Sequence, residues 1–132
     1  MYFQISVKYD KTQENGAVKK VSEPYIVDAC SFTEAEARAC LEITGEMEVS
    51  AAKRTKIAEI FEDYEGDRYY SVVAALALEE KTTKVSYLVK AIDFRNALEN
   101  FLDAMKGTMA DFEIVSITET AIMDVFHVEA EE

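Results

Sequence analysis

Tryptophan is absent from this chain, histidine and proline occur once each, cysteine twice and glycine four times in 132 residues. Each scarcity excludes something. The chain offers no Gly-rich phosphate loop, no metal-ligand spacing and no nucleophile elbow. The lone His127 reads as a surface residue at a strand end, because a general base needs an orienting partner and a pocket. Two cysteines are too few for a zinc site, so neither a metal nor a cofactor is expected. The apolar stretch 72–78 falls far short of the roughly 18 residues that span a bilayer. No basic segment followed by an apolar run opens the chain, so a cytoplasmic location is expected. With so little proline and glycine there is little linker, and one domain over 1–132 is expected.

Positive charge is also scarce. Fourteen Lys and Arg stand against 26 Asp and Glu, a formal net charge of −12. Such a surface repels duplex phosphates, which argues against general DNA binding. It favours solubility, a basic protein partner, or mimicry of nucleic acid. The run 129–132 reads as a solvated acidic tail.

What the chain does contain is the same unit twice, as halves 1–65 and 66–128. Tyr25, Val27, Ala29, Phe32 and Ala35 recur as Tyr87, Val89, Ala91, Phe94 and Ala97 (87 − 25 = 62). Glu48, Val49, Thr55, Ile57, Glu59 and Phe61 recur as Glu113, Ile114, Thr120, Ile122, Asp124 and Phe126 (126 − 61 = 65). The three extra residues fall in a longer connection at 105–111.

Each half reads as strand, strand, helix, strand. Alternation predicts a strand over 2–10, with Asn15-Gly16 as a hairpin turn and a return strand over 18–29. Pro24 marks an edge or a bulge in that strand. Ser31-Phe32-Thr33-Glu34 is a capping box that starts a helix over 32–43, with Phe32, Ala35, Ala39, Cys40 and Ile43 inward. Residues 47–62 read as one long strand. The second half repeats this with strands at 68–78 and 84–91. Its helix is capped by Asp93, with Phe94, Ala97, Leu98, Phe101, Leu102 and Met105 inward and Asn96 and Asn100 outward. A last strand or broken pair covers 112–128. The expectation is an α+β fold of about six mostly antiparallel strands and two helices about a pseudo-two-fold axis. Exposed sheet edges would suit a homo-oligomer. At offset 62, Cys30 and Cys40 map onto Ile92 and Leu102, so both are expected to be buried apolar positions.

Three groups carry candidate chemistry. Thr55, Glu59, Thr120 and Asp124 are polar in both halves, and period-two spacing sets each run on one strand face. Near a pseudo-two-fold axis, Glu59 and Asp124 could meet as a carboxylate pair that binds a cation or a ligand's hydroxyls. Lys53, Arg54 and Lys56 form the one dense basic run and have no counterpart in the second half, which suits phosphate binding. Lys19 and Lys20 would join them if the hairpin crosses that strand. Tyr64, Tyr69 and Tyr70 flank Gly66, where aromatic rings could stack a base or pack on the core.

The run Ser22-Glu23-Pro24-Tyr25-Ile26-Val27-Asp28-Ala29, then Ser31-Phe32-Thr33-Glu34-Ala35-Glu36-Ala37, Met105-Lys106-Gly107-Thr108-Met109 and Ile122-Met123-Asp124-Val125-Phe126, resembles an uncharacterised small-protein family of gut Bacteroidetes and their phages, known only as a domain of unknown function. The resemblance spans Tyr2 to Phe126 and departs at 44–47. It implies a gene carried by a phage or other mobile element in a bacterial host, and transfers no catalytic residue. The expectation is therefore a non-enzymatic accessory binding protein. One version is counter-defence by sequestering a nucleotide signal or host factor, with Lys53, Arg54 and Lys56 on phosphates and Tyr69 or Tyr70 on a base. The alternative is a replication or recombination accessory protein, or DNA mimic, that docks a basic protein partner. An enzyme using Glu59 and Asp124 with a divalent metal to hydrolyse nucleotides ranks third.

Overall fold

The computed structural model describes residues 1–42, 48–108 and 111–127. In chain order the elements are β1 (Tyr2–Thr12), β2 (Val18–Asp28), α1 (Phe32–Glu42), β3 (Glu48–Arg54), β4 (Ile57–Phe61), β5 (Arg68–Leu78), β6 (Lys81–Ala91), α2 (Phe94–Ala104), β7 (Asp111–Glu119) and β8 (Val125–Phe126). The fold is α+β, as the repeat implied, with eight strands rather than six among the described residues. They form two sheets of the same plan, β3-β1-β2-β8 and β4-β6-β5-β7. No described helix is long and apolar enough to cross a membrane.

The chain divides into two compact units, but not at the repeat boundary of 65 and 66. The first unit is Met1–Thr55 with Ile122–Glu132, and the second is Lys56–Ala121. Each half therefore gives its last strand to the other half's sheet. β8 runs parallel to β2, with Ile26 opposite Val125 and Val27 opposite Phe126. β4 runs parallel to β6, with Ile60 opposite Leu88 and Phe61 opposite Val89. The registers are equivalent, since 88 − 26 = 62 and 125 − 60 = 65. The strand expected over 47–62 is thus two strands in two sheets, and 112–128 is the broken pair rather than the single strand.

A threonine ends the first of each pair. The Thr55 backbone N–H (2.9 Å) and Oγ1 (2.8 Å) both donate to the Tyr2 carbonyl. Thr120 does the same to the Tyr69 carbonyl, at 2.9 and 2.8 Å. A carbonyl has two lone pairs, so one acceptor serves both bonds. Each part-buried hydroxyl contributes about 1 kcal/mol, and together with the amide it holds the chain just before it leaves the sheet.

In the first unit α1 covers one sheet face, burying Phe3, Ile5, Val7, Val27 and Ala29 against Ala35 and Ala39. In the second, Val72, Ala74, Tyr87 and Val89 pack against Phe101 and Met105 of α2. Both helices start on a variant of the capping box in which the N3 side chain reaches the residue before the N-cap. Ser31 Oγ accepts from the Glu34 N–H (3.2 Å) while Glu34 accepts from the Cys30 N–H (3.4 Å). Likewise Asp93 Oδ1 accepts from the Asn96 N–H (2.8 Å) while Asn96 Oδ1 accepts from the Ile92 N–H (3.0 Å). Pro24 lies inside β2, where its missing N–H faces the β8 side ahead of that short strand. No ladder bond is lost, and its carbonyl accepts from Met123 at 2.9 Å.

The helices differ from expectation in what they bury. Cys30 and Cys40 are exposed, and so are their counterparts Ile92 (54%) and Leu102 (46%). The repeat paired these positions correctly but their side was wrong: Ala35/Ala39 and Ala97/Phe101 set the inward arc, and Cys40 and Leu102 are turned a further 100° away. Phe32 and Phe94 are exposed as well, although the Phe32 ring meets Phe3 edge-on at 4.8 Å. Asn100 is buried instead of outward-facing, its Nδ2 donating to the Lys90 carbonyl (3.0 Å) and to Asn96 Oδ1 (3.2 Å). Ile43 lies outside the described residues, as does the acidic run 129–132.

Gly66, between β4 and β5, has φ +142°, and a Cβ there would overlap the carbonyl carbon and oxygen of Ala91. Gly16 has φ +84° with open space around it. Gly66→Ala should therefore cost about 3 kcal/mol or more, from strain plus overlap, against about 1 kcal/mol of strain for Gly16→Ala. Thermal unfolding of the two variants side by side checks this order.

Candidate functional site

Within the basic run, Lys53 and Arg54 do not converge. Lys53 is paired with Gln4 and Arg54 with Phe3 on β1, so strand alternation sends their side chains to opposite faces of the sheet. Lys56 is the first residue of the second unit. All three are exposed, and no ion pair holds any of them among the described residues. Lys19 and Lys20 do not join them. They sit opposite Lys11 and Asp10 at the far end of β1. The tyrosines are equally ill-placed for a ligand. Tyr69 and Tyr70 are each 3% exposed, with Tyr70 packed on Ala91 and Ala97. Neither ring has a free face on which a base could stack.

Glu59 and Asp124 belong to different units. In each, the carboxylate stands beside the tyrosine that receives the exchanged strand. Tyr25 stacks on Phe126 with centroids 5.4 Å apart, and Tyr87 on Phe61 at 5.5 Å, both at 15°. Asp124 accepts from the Val125 N–H at 2.8 Å, opening β8, while Glu59 lies opposite Tyr87. The repeated Thr-x-Ile-x-(Glu/Asp)-x-Phe run is thus not one strand face. It is the joint by which a strand crosses to the other sheet. The signal was in the sequence, but a repeated polar residue suggests a site before it suggests a carbonyl distant in the chain.

One polar cluster went unforeseen. Glu23 Oε1 accepts from the Tyr9 hydroxyl at 2.6 Å and Oε2 from the Tyr25 hydroxyl at 3.0 Å. The matching residues in the second unit are the apolar Leu76 and Val85. There Phe101 fills the space, with ring centroids 5.4 Å from Tyr87, 6.1 Å from Phe61 and 5.8 Å from Phe112. The first unit has Ala39 in that place. Burial, then the bond to Glu23, push the Tyr25 hydroxyl up to about 12. Tyr25 is therefore a neutral donor and not a base.

The connection 62–67 is the most acidic loop described. Asp63, Glu65 and Asp67 are exposed on it. The loop is anchored twice, by Gly66 against Ala91 and by the Tyr64 hydroxyl donating to Asp103 at 2.9 Å. That bond and Lys106, 3.3 Å away, hold the Asp103 carboxyl below its usual range. His127 lies 3.9 Å from Asp28, which also faces the chain's amino terminus at 3.4 Å. No group of three or more metal-ligating side chains occurs among the described residues.

A family model described as Domain of unknown function (DUF4494) matches residues 1–128. The chain belongs to the DUF4494 family. A search of curated proteins finds no match. The DUF4494 match assigns no role to any residue.

The Tyr25 shift carries a sign. Its folded value lies above the ordinary value of 10.0, so the stabilisation from neutral Tyr25 is complete below pH 10 and is lost as pH rises through about 12. Tyrosinate absorbance should show a late-titrating hydroxyl that moves earlier in Glu23→Gln, though not fully to the ordinary value, because burial persists.

Proposed function

We propose that the protein is a non-enzymatic accessory binding module that docks a basic protein partner. The observation that carries this reading is the anchored acidic loop. Asp63, Glu65 and Asp67 are exposed within one short connection, fixed by Gly66 and Tyr64, on a chain of net charge −12. Carboxylates clustered on an anchored loop steer a cationic surface, and the loop backbone loses little freedom when it arrives. The resemblance to proteins of gut Bacteroidetes and their phages supports a mobile-element gene acting in the cytoplasm of a bacterial host, where a basic replication, recombination or defence factor is a natural target. Neutralising the loop with Asp63→Asn, Glu65→Gln and Asp67→Asn should abolish salt-sensitive capture of a defined basic protein from host lysate. The same capture by the neutral loop would refute the reading.

A second reading is sequestration of a nucleotide signal. Its support is that Lys53 and Arg54 are exposed and without ion pairs among the described residues, although the strand sends them to opposite faces. It draws no support from Tyr69 and Tyr70, which are buried. Native mass spectrometry with a pool of cyclic and linear nucleotides separates the two. A retained nucleotide mass that disappears in the variant carrying Lys53→Ala and Arg54→Ala would favour sequestration.

A further inference from the structure

α2 buries less of its apolar surface than its sequence offers. Phe94, Leu98 and Leu102 recur every four residues and form one stripe along the helix. Phe94 is 56% exposed, Leu102 46%, and Leu98 half-buried. The same stripe on α1 is Phe32, Glu36 and Cys40, interrupted by a carboxylate. An apolar stripe present on one copy of a duplicated helix and broken on the other is not a demand of the scaffold.

The charges beside the stripe identify its occupant. Arg95 and Glu99 lie together on its exposed flank, four residues apart, and neither has an ion pair among the described residues. Two copies of α2 packed antiparallel about a two-fold axis bring this flank against itself, because an isologous interface sets the same patch on both sides. Arg95 of each copy then faces Glu99 of the other. Two chains of net charge −12 repel in general, but α2 is balanced where they would touch. Edge-to-edge pairing of sheets is less suited. Both β3 and β7 carry a bulge, at Ser50 and Val115, which bends an edge away from a partner strand.

We infer that the protein forms a two-fold homodimer in which the Phe94–Leu98–Leu102 stripes of two α2 helices pack antiparallel, with Arg95 and Glu99 paired across the seam. The test is sedimentation equilibrium on the full chain, with circular dichroism to show that each variant is folded. Wild type should be a concentration-dependent dimer, and Leu102→Glu should raise its dissociation constant at least about tenfold. Arg95→Glu and Glu99→Arg should each weaken it, and the double exchange should restore it. A monomer at every concentration overturns the inference. So does a dimer indifferent to Leu102→Glu, a double exchange that restores nothing, or a monomer whose stripe is covered by a different protein.

Discussion

The stack of Tyr25 on Phe126, matched by Tyr87 on Phe61, is the contact on which the architecture turns. Each seats a short strand contributed by the other half of the sequence. β8 has only two residues, Val125 and Phe126, too few for its ladder bonds alone to hold it. The ring that Phe126 lays against Tyr25 and the Met123 N–H donating to the Pro24 carbonyl at 2.9 Å add to the ladder bond from the Ile26 N–H to the Asp124 carbonyl at 3.0 Å, and the Asp124 side chain caps the strand's start. β4 is longer and enters a richer aromatic cluster through Phe61 and Phe101. The exchange explains why Thr, Phe and a carboxylate recur at fixed spacing in both halves.

Much of this was legible. The duplication gave the element order, and the Ser31–Glu34 capping box and the Asp93 cap gave the two helix starts because they are local chemistry. The exchange itself was not legible. Tyr25 and Tyr87 are the same residue in equivalent places, and so are Val27 and Val89. Period-two spacing says that 57–61 is a strand without saying which of two near-identical sheets receives it. Thr55 and Thr120 looked like site residues because their partners, the carbonyls of Tyr2 and Tyr69, are about fifty residues away in sequence. The basic run looked like a phosphate site because three neighbours in sequence read as a cluster, whereas a strand sends Lys53 and Arg54 apart. The cysteines show the limit of the internal control. The repeat established that Cys40 and Leu102 share an environment, but not that the environment is solvent.

The halves have since diverged within one frame. In the second unit a ring cluster around Phe101 fills the core under α2, and Asn100 and Asn96 tie the helix to the end of β6. In the first, Ala39 leaves that place small and Glu23 draws two tyrosine hydroxyls into a polar cluster. The anchored acidic loop and the apolar stripe of α2 both belong to the second unit. The unbroken apolar stripe has no equivalent on α1, where Glu36 interrupts it.

The strand exchange is the central claim, and backbone NMR distances test it directly. The account predicts inter-strand contacts from Val125 and Phe126 to Ile26 and Val27, and from Ile60 and Phe61 to Leu88 and Val89. Contacts from Phe126 to Val89 and from Phe61 to Val27 would mean that each half keeps its own last strand, and would contradict it.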